Sequence, residues 1–197
     1  MKKIVLASNN KHKVMEIKKI LKNFEIVTLN DIGFHDDIVE DGDTFLDNAL
    51  IKTRAVRKFL NDDTLIIGDD SGLCCESLNG EPGVYSARYA GEHDDKKNRE
   101  KLIKELNEKD KTAYFVCMIV LLKEDGSYES FEGRTYGKII SEERGENGFG
   151  YDNIFLSDDL GITFGEADDD AKNNCSHRGR ALEKLALYLE DDKNGKK

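Results

Sequence analysis

Positive charge is what this sequence has too little of. Lys and Arg number 30 against 40 Asp and Glu, a net charge of −10 over 197 residues. A broad nucleic-acid surface needs a basic face, so no nucleic-acid partner is expected. Long apolar runs are also missing. No window approaches the roughly 20 residues that span a bilayer, so no membrane partner is expected. The first apolar run, Ile4 to Ala7, is too short for the core of a secretory signal, and the chain reads as cytoplasmic. Cysteine is sparse: Cys74 and Cys75 are adjacent, Cys117 and Cys175 stand alone, and none has zinc-site spacing. That speaks against a disulfide framework or a metal cluster. No GxxxxGK phosphate loop is present. A small anionic ligand is not excluded, but in so acidic a chain it requires clustered cations and a divalent metal.

An apolar fraction of 38% beside a charged fraction of 36% describes a very polar chain that can still bury a core. Its length makes one large domain or two small lobes sharing a core. The stretch that organises the rest is Leu65-Ile66-Ile67-Gly68-Asp69-Asp70-Ser71-Gly72. Leu65 to Ile67 read as a short buried strand, with Asp69 and Asp70 where that strand leaves the core. Ligands collect at such strand ends in open α/β sheets. Neighbouring strand residues face opposite ways, so the two carboxylates cannot share a role. Asp, Ser and Gly are equally ordinary turn formers, and a plain turn is the competing reading.

Ile4 to Ala7 predict a first strand. Ser8, Asn9, Asn10, Lys11, His12 and Lys13 form a polar loop before a helix from about Lys13 to Lys22. A strand–loop–helix join of this kind turns backbone N–H groups and cations outward and suits phosphate. The alternative is an Asn cap with solvated lysines. Glu25 to Leu29 read as a second strand. Asp43 is a candidate cap for a helix from Thr44 to about Leu60, in which Lys52 interrupts the apolar stripe. A lysine there either snorkels to solvent or points at an anion. Leu73 to Leu78 look like a return strand, and Asp94 to about Lys109 like a charged helix.

The clearest supersecondary element is a hairpin, Thr112 to Leu122 and Tyr128 to Tyr136, turned by Glu124-Asp125-Gly126-Ser127. Both faces of its first strand are apolar, which makes it central in a sheet or part of an interface. Gly137 to Ile140 extend the sheet after a bend. Gly148-Phe149-Gly150-Tyr151-Asp152 is too glycine-rich for regular structure and presents Phe149, which can stack on a nucleobase or simply be buried. Asp168 to Lys172 form an acidic turn. Ser176 is a candidate cap for the last helix, whose first turn carries His177 and Arg178, where the helix dipole disfavours cations. The tail from Asp191 reads as disordered.

Together these stretches describe one chemistry. Lys11, Lys13, Lys52, Lys172 and Arg178 can neutralise a polyphosphate. Glu40, Asp69 and Asp70 can hold Mg²⁺ through a few oxygens. Phe149 and Asp152 can stack on a base and read its edge. Metal, carboxylates and base pocket point to hydrolysis at a nucleotide phosphate. Ser8 to Lys13, Asp69 to Leu73, Pro82 to Tyr89, Gly148 to Asp152 and Ser176-His177-Arg178 resemble, in order and over nearly the whole chain, the motifs of the inosine triphosphate pyrophosphatase family.

The resemblance implies an α/β protein with an elongated mixed β-sheet flanked by helices. It would form a single domain, 1–197, of two lobes around a central active-site cleft. One lobe is expected at about 1–110 plus the C-terminal helix, the other at about 111–165. It implies that Ser8 to Lys13 hold the triphosphate, with Lys52 and Lys172 as further phosphate ligands. Glu40 and Asp70 become the Mg²⁺ carboxylates, and Asp70 also the group that activates water. Ser71 touches the nucleotide, and Phe149, Gly150, Tyr151, Asp152, His177 and Arg178 form the base pocket. It further implies a homodimer acting on ITP, dITP and XTP. Ser8-Asn9 stand where the family has Thr-Gly. Asn153 stands where a proline usually follows Tyr-Asp, which would loosen the loop. The acidic stretch before Lys172 is a degraded match. A pyrophosphatase for modified pyrimidine nucleotides and a non-catalytic nucleotide sensor are the alternatives.

Overall fold

The computed structural model describes residues 2–60, 64–91 and 93–193. Six strands and five α-helices follow in the order β1 (Lys2–Leu6), α1 (Lys11–Ile20), β2 (Phe24–Val27), α2 (Phe45–Phe59), β3 (Leu65–Cys75), α3 (Asp95–Glu105), β4 (Thr112–Leu122), β5 (Tyr128–Ile139), β6 (Phe155–Ser157), α4 (Asp169–Cys175) and α5 (His177–Lys193). The strands form one mixed sheet in the order β2-β1-β3-β4-β5-β6. β1 pairs parallel with β2 and with β3, and β5 pairs antiparallel with β6. No helix among the described residues is long and apolar enough to cross a membrane.

The chain divides into two compact units, Met1–Asp70 with Cys117–Glu132 and Arg180–Lys197, and Ser71–Val116 with Gly133–Gly179. These boundaries fall inside β3, β4, β5 and α5.

In the first unit, strand alternation sends Ile4 and Leu6 of β1 into a cluster with Ile17 of α1, Leu21 at its C-cap, and Leu182 and Leu185 of α5. Val5 and Ala7 go the other way, to Val56 of α2 and Ile66 of β3. β4 obeys the same rule: Cys117, Ile119 and Leu121 join the α1–α5 cluster, while Val120 packs on Ala49 and Leu50 of α2. Its two apolar faces are those of a central strand covered by helices on both sides. In the second unit, Leu73, Phe115, Ile139, Phe155 and Phe164 pack with Leu102 of α3 and Leu106 at its C-cap.

Three expectations are corrected. β3 does not stop at Ile67: it runs unbroken to Cys75, so Asp69-Asp70-Ser71-Gly72 lies within a strand, the turn reading fails, and no separate return strand exists. The acidic turn at Asp168 is a helix, α4, with the Asp168 side chain accepting from Ala171 N as its cap. The chain is helical from Asp191 to Lys193, and the remainder of the expected tail, 194–197, lies outside the described residues.

Candidate active site

One set of site residues lies in the first unit. α1 starts at Lys11, two residues earlier than expected, because Asn10 Oδ1 accepts from His12 N at 3.0 Å and Lys13 N at 3.2 Å. Those two N–H groups are therefore directed at Asn10 and not outward. Ser8 Oγ accepts from Asn10 N at 3.1 Å, and Asn9 Nδ2 donates to Asn30 Oδ1 at 3.1 Å. Lys11 and His12 are exposed on the first turn. Lys13 turns inward, and its ammonium pairs with Asp69. Asp69 also accepts from Cys117 Sγ at 3.2 Å.

Asp70, next along the strand, faces α2. Its Oδ2 accepts from Asn48 Nδ2 at 3.2 Å, and its Oδ1 lies 3.3 Å from Lys52 Nζ. The same ammonium lies 2.7 Å from Glu40 Oε2. Lys52 therefore points at anions and does not snorkel. Burial pushes the Asp70 carboxyl above the usual carboxylate range, against the pull of Lys52 and Lys13. For Lys52 burial acts to lower the pKa, and the attraction of Asp70 and Glu40 outweighs it, leaving the ammonium held above its ordinary value.

The second set lies in the other unit. Asp152 is buried and accepts through Oδ2 from Phe149 N at 2.8 Å and Lys172 Nζ at 2.9 Å. Gly148 makes room for this: its φ is +77°, and a Cβ there would collide with the Asp152 carboxylate. Phe149 is half-buried, with Lys172 Nζ 5.1 Å and the Arg178 guanidinium carbon 6.0 Å from its ring centroid. Ser176 Oγ accepts from Gly179 N at 3.0 Å, the expected cap of α5. His177 stacks on Phe115, with ring centroids 4.7 Å apart and planes 12° apart. Arg178 is only 1% exposed and donates from Nη2 to Ser71 Oγ at 2.9 Å. Tyr151 is placed inside the apolar core, its hydroxyl donating to Ser86 O at 2.8 Å. It supports the aromatic loop from behind.

The Ham1 family sequence pattern matches residues 4–188. The chain belongs to the Ham1 family. Among Ham1 relatives, the dITP/XTP pyrophosphatase of Clostridium perfringens is 50% identical over 94% of this chain and 96% of its own. That of Bacillus subtilis is 44% identical over 96% and 98%. The solved Ham1 protein of Staphylococcus aureus superposes with a TM-score of 0.87 at 41% identity, covering 97% of this chain and 100% of its own. A Ham1 protein from Coxiella burnetii gives 0.87 at 37%, with the same coverage.

Within this Ham1 chain the structure joins Lys13 to Asp69, Lys52 to Glu40 and Asp70, and Asp152 to Lys172. Asn48 was not anticipated, although it is 1% exposed and also accepts from Gly42 N at 2.9 Å through Oδ1. Its one sequence signal is a polar residue four positions before Lys52 on the same helix face. The four cysteines form no disulfide. All four are buried free thiols, and burial pushes Cys75 up to about 12.

Proposed function

We propose that this chain hydrolyses ITP, dITP and XTP to the monophosphate and pyrophosphate, with attack at the α-phosphate, and so clears aberrant purine nucleotides from a cytoplasmic precursor pool. The observation that carries this reading is the convergence of Glu40 and Asp70 on one ammonium. Two carboxylates sharing one cation form an all-oxygen donor set. Mg²⁺ is held in this way, by one or two carboxylates with its remaining positions left to water and phosphate. Glu40 and Asp70 would hold it, and when bound it would polarise the phosphoryl oxygens.

The protein's own groups supply the rest. Asp70, buried and placed beside Lys52 and Asn48, is assigned to take the proton from the attacking water. Lys13, Lys52 and Lys172, with the α1 N-terminus from Ser8 to Lys13, are assigned to the phosphates. Phe149 is assigned to stack on the base. Arg178 and His177 are assigned to the 6-position: a guanidinium offers only donors, which a keto oxygen satisfies. The amino group of adenine would leave them unpaired, at about 1–3 kcal/mol per buried group. A homodimer belongs to the same proposal and is read by light scattering.

Pyrophosphate release from ITP, XTP, dITP, ATP and GTP, with and without Mg²⁺, tests the reading. Fast release from the first three and slow release from ATP is expected, with GTP, which also carries a 6-keto oxygen, showing what the 6-position alone does not decide. Faster turnover of methylated UTP would move the assignment to pyrimidines, and no release from dITP would move it to a sensor. Asp70→Asn is expected to lose most turnover while ITP binding, measured by calorimetry, largely survives.

A further inference from the structure

The residue after Phe149 is held by α3 through both of its backbone groups. Gly150 N donates to Asp95 Oδ2 at 2.9 Å, and Gly150 O accepts from Arg99 Nη1 at 2.8 Å. Asp95 and Arg99 are one helical turn apart and so share a face. The rest of the Arg99 fork is taken by Glu143, Nε to Oε1 at 2.8 Å and Nη2 to Oε2 at 3.3 Å. Glu143 Oε2 also accepts from Asn153 Nδ2 at 2.8 Å. The chain is therefore tied to α3 before Phe149, at Glu143, and directly after it, at Gly150, and Asn153 is tied back to Glu143. The hydrogen bonds from Arg99 pull the Glu143 carboxyl below its ordinary range.

This grip is not needed to build the core. α3 is charged and buries only Asn98 and Leu102, and Asp95 is exposed. Nor does it duplicate the Asp152 contacts: Asp152 holds the Phe149 N–H through its carboxylate and the Phe149 carbonyl through its backbone N–H at 3.2 Å, and both Gly150 backbone groups go to α3. We infer that Asp95 and Arg99 are positioning residues for base recognition: acting through Gly150, they fix the plane in which Phe149 meets the purine. The inference rests on the reading that Phe149 stacks on the base.

ITP kinetics and inhibition by inorganic pyrophosphate, which has no base, test it together. Arg99→Ala and Asp95→Ala are expected to raise the KM for ITP about tenfold, part of what one base stack is worth. The kcat and the inhibition constant of pyrophosphate should hold within about twofold, as for lost binding of the base alone. Asp95→Asn keeps an acceptor oxygen for Gly150 N and is expected to restore the KM. Arg99→Lys lacks the fork and is expected to stay impaired. Phe149→Ala serves as the reference. An unchanged KM in that variant overturns the stacking reading itself. A raised KM there, with wild-type KM in both α3 variants, overturns the inference alone. Weakening of pyrophosphate in step with ITP, or a loss confined to kcat, also overturns it, because general damage would do either.

Discussion

Lys52 is one ammonium set against two carboxylates, and that imbalance is the most informative feature at the scale of single residues. Glu40 Oε2 at 2.7 Å and Asp70 Oδ1 at 3.3 Å both lean on it. Removing the cation leaves two like charges facing each other around a largely buried point. Breaking a buried pair costs about 3–5 kcal/mol, and the lower end applies because the Glu40 side chain is 33% exposed. Lys52→Met is therefore expected to be clearly destabilised in EDTA and to recover on adding Mg²⁺, which would take the place of the lost charge. The same variant should bind Mn²⁺ more tightly than wild type without nucleotide, while turning ITP over poorly. Urea unfolding with and without metal, and calorimetry with Mn²⁺, read both effects. Metal-independent unfolding of this variant would show that Glu40 and Asp70 are not a metal pair. Asp69, one residue away, faces Lys13 and Cys117, as strand alternation requires, and should leave metal binding unaffected.

At the scale of elements, β3 and α2 form the frame for those charges. Gly68 is what lets them approach: a Cβ there would sit 2.5 Å from Ala49 O and 2.7 Å from Thr53 Cγ2. The first of these is helix backbone, so α2 would have to move, taking Asn48 and Lys52 with it. Gly68→Ala is expected to cost about 1–3 kcal/mol of stability, as overpacking does. It should also weaken Mn²⁺ binding, since both Asp70 contacts come from the displaced helix. Urea unfolding with Mn²⁺ titration checks this. A stable variant with intact metal binding would mean that the approach is looser than the geometry implies.

The same strand shows where sequence reasoning failed. Asp-Asp-Ser-Gly looks like a turn because local preference sees four turn formers. The native strand persists because each carboxylate has a partner from a distant element: Lys13 for Asp69, Asn48 and Lys52 for Asp70. The β4–β5 hairpin was legible because its alternation and its turn are both local. Ser176 was legible as a cap for the same reason. The α3 clamp was not, because Asp95 and Arg99 look like any other charges on a solvated helix. Asn153, expected to loosen the aromatic loop, is instead tied to Glu143.

On the scale of the molecule, the division falls between adjacent residues. Asp70 closes one unit and Ser71 opens the other, both inside β3. The residues assigned to metal and most of the phosphate contacts belong to the first unit, and those assigned to the base, with Lys172, to the second. Ligands that carry only part of a nucleotide should therefore separate the two sets. Hydrogen exchange offers a direct readout, because bound ligand suppresses local opening in proportion to its occupancy. Pyrophosphate with Mg²⁺ is expected to slow exchange at 11–13 and 48–52 and to leave 176–179 near the free rate. Inosine should do the reverse where its weaker binding permits. A slowly hydrolysed ITP analogue with Mg²⁺ should protect both sets, and at about 100 times its Kd should add about 2.7 kcal/mol to global stability. In Asp70→Asn the analogue's protection of 176–179 should survive, because that set belongs to the base. Protection by pyrophosphate that spread equally over both sets would mean the phosphates are not confined to the first, and the residue assignments would have to be redrawn.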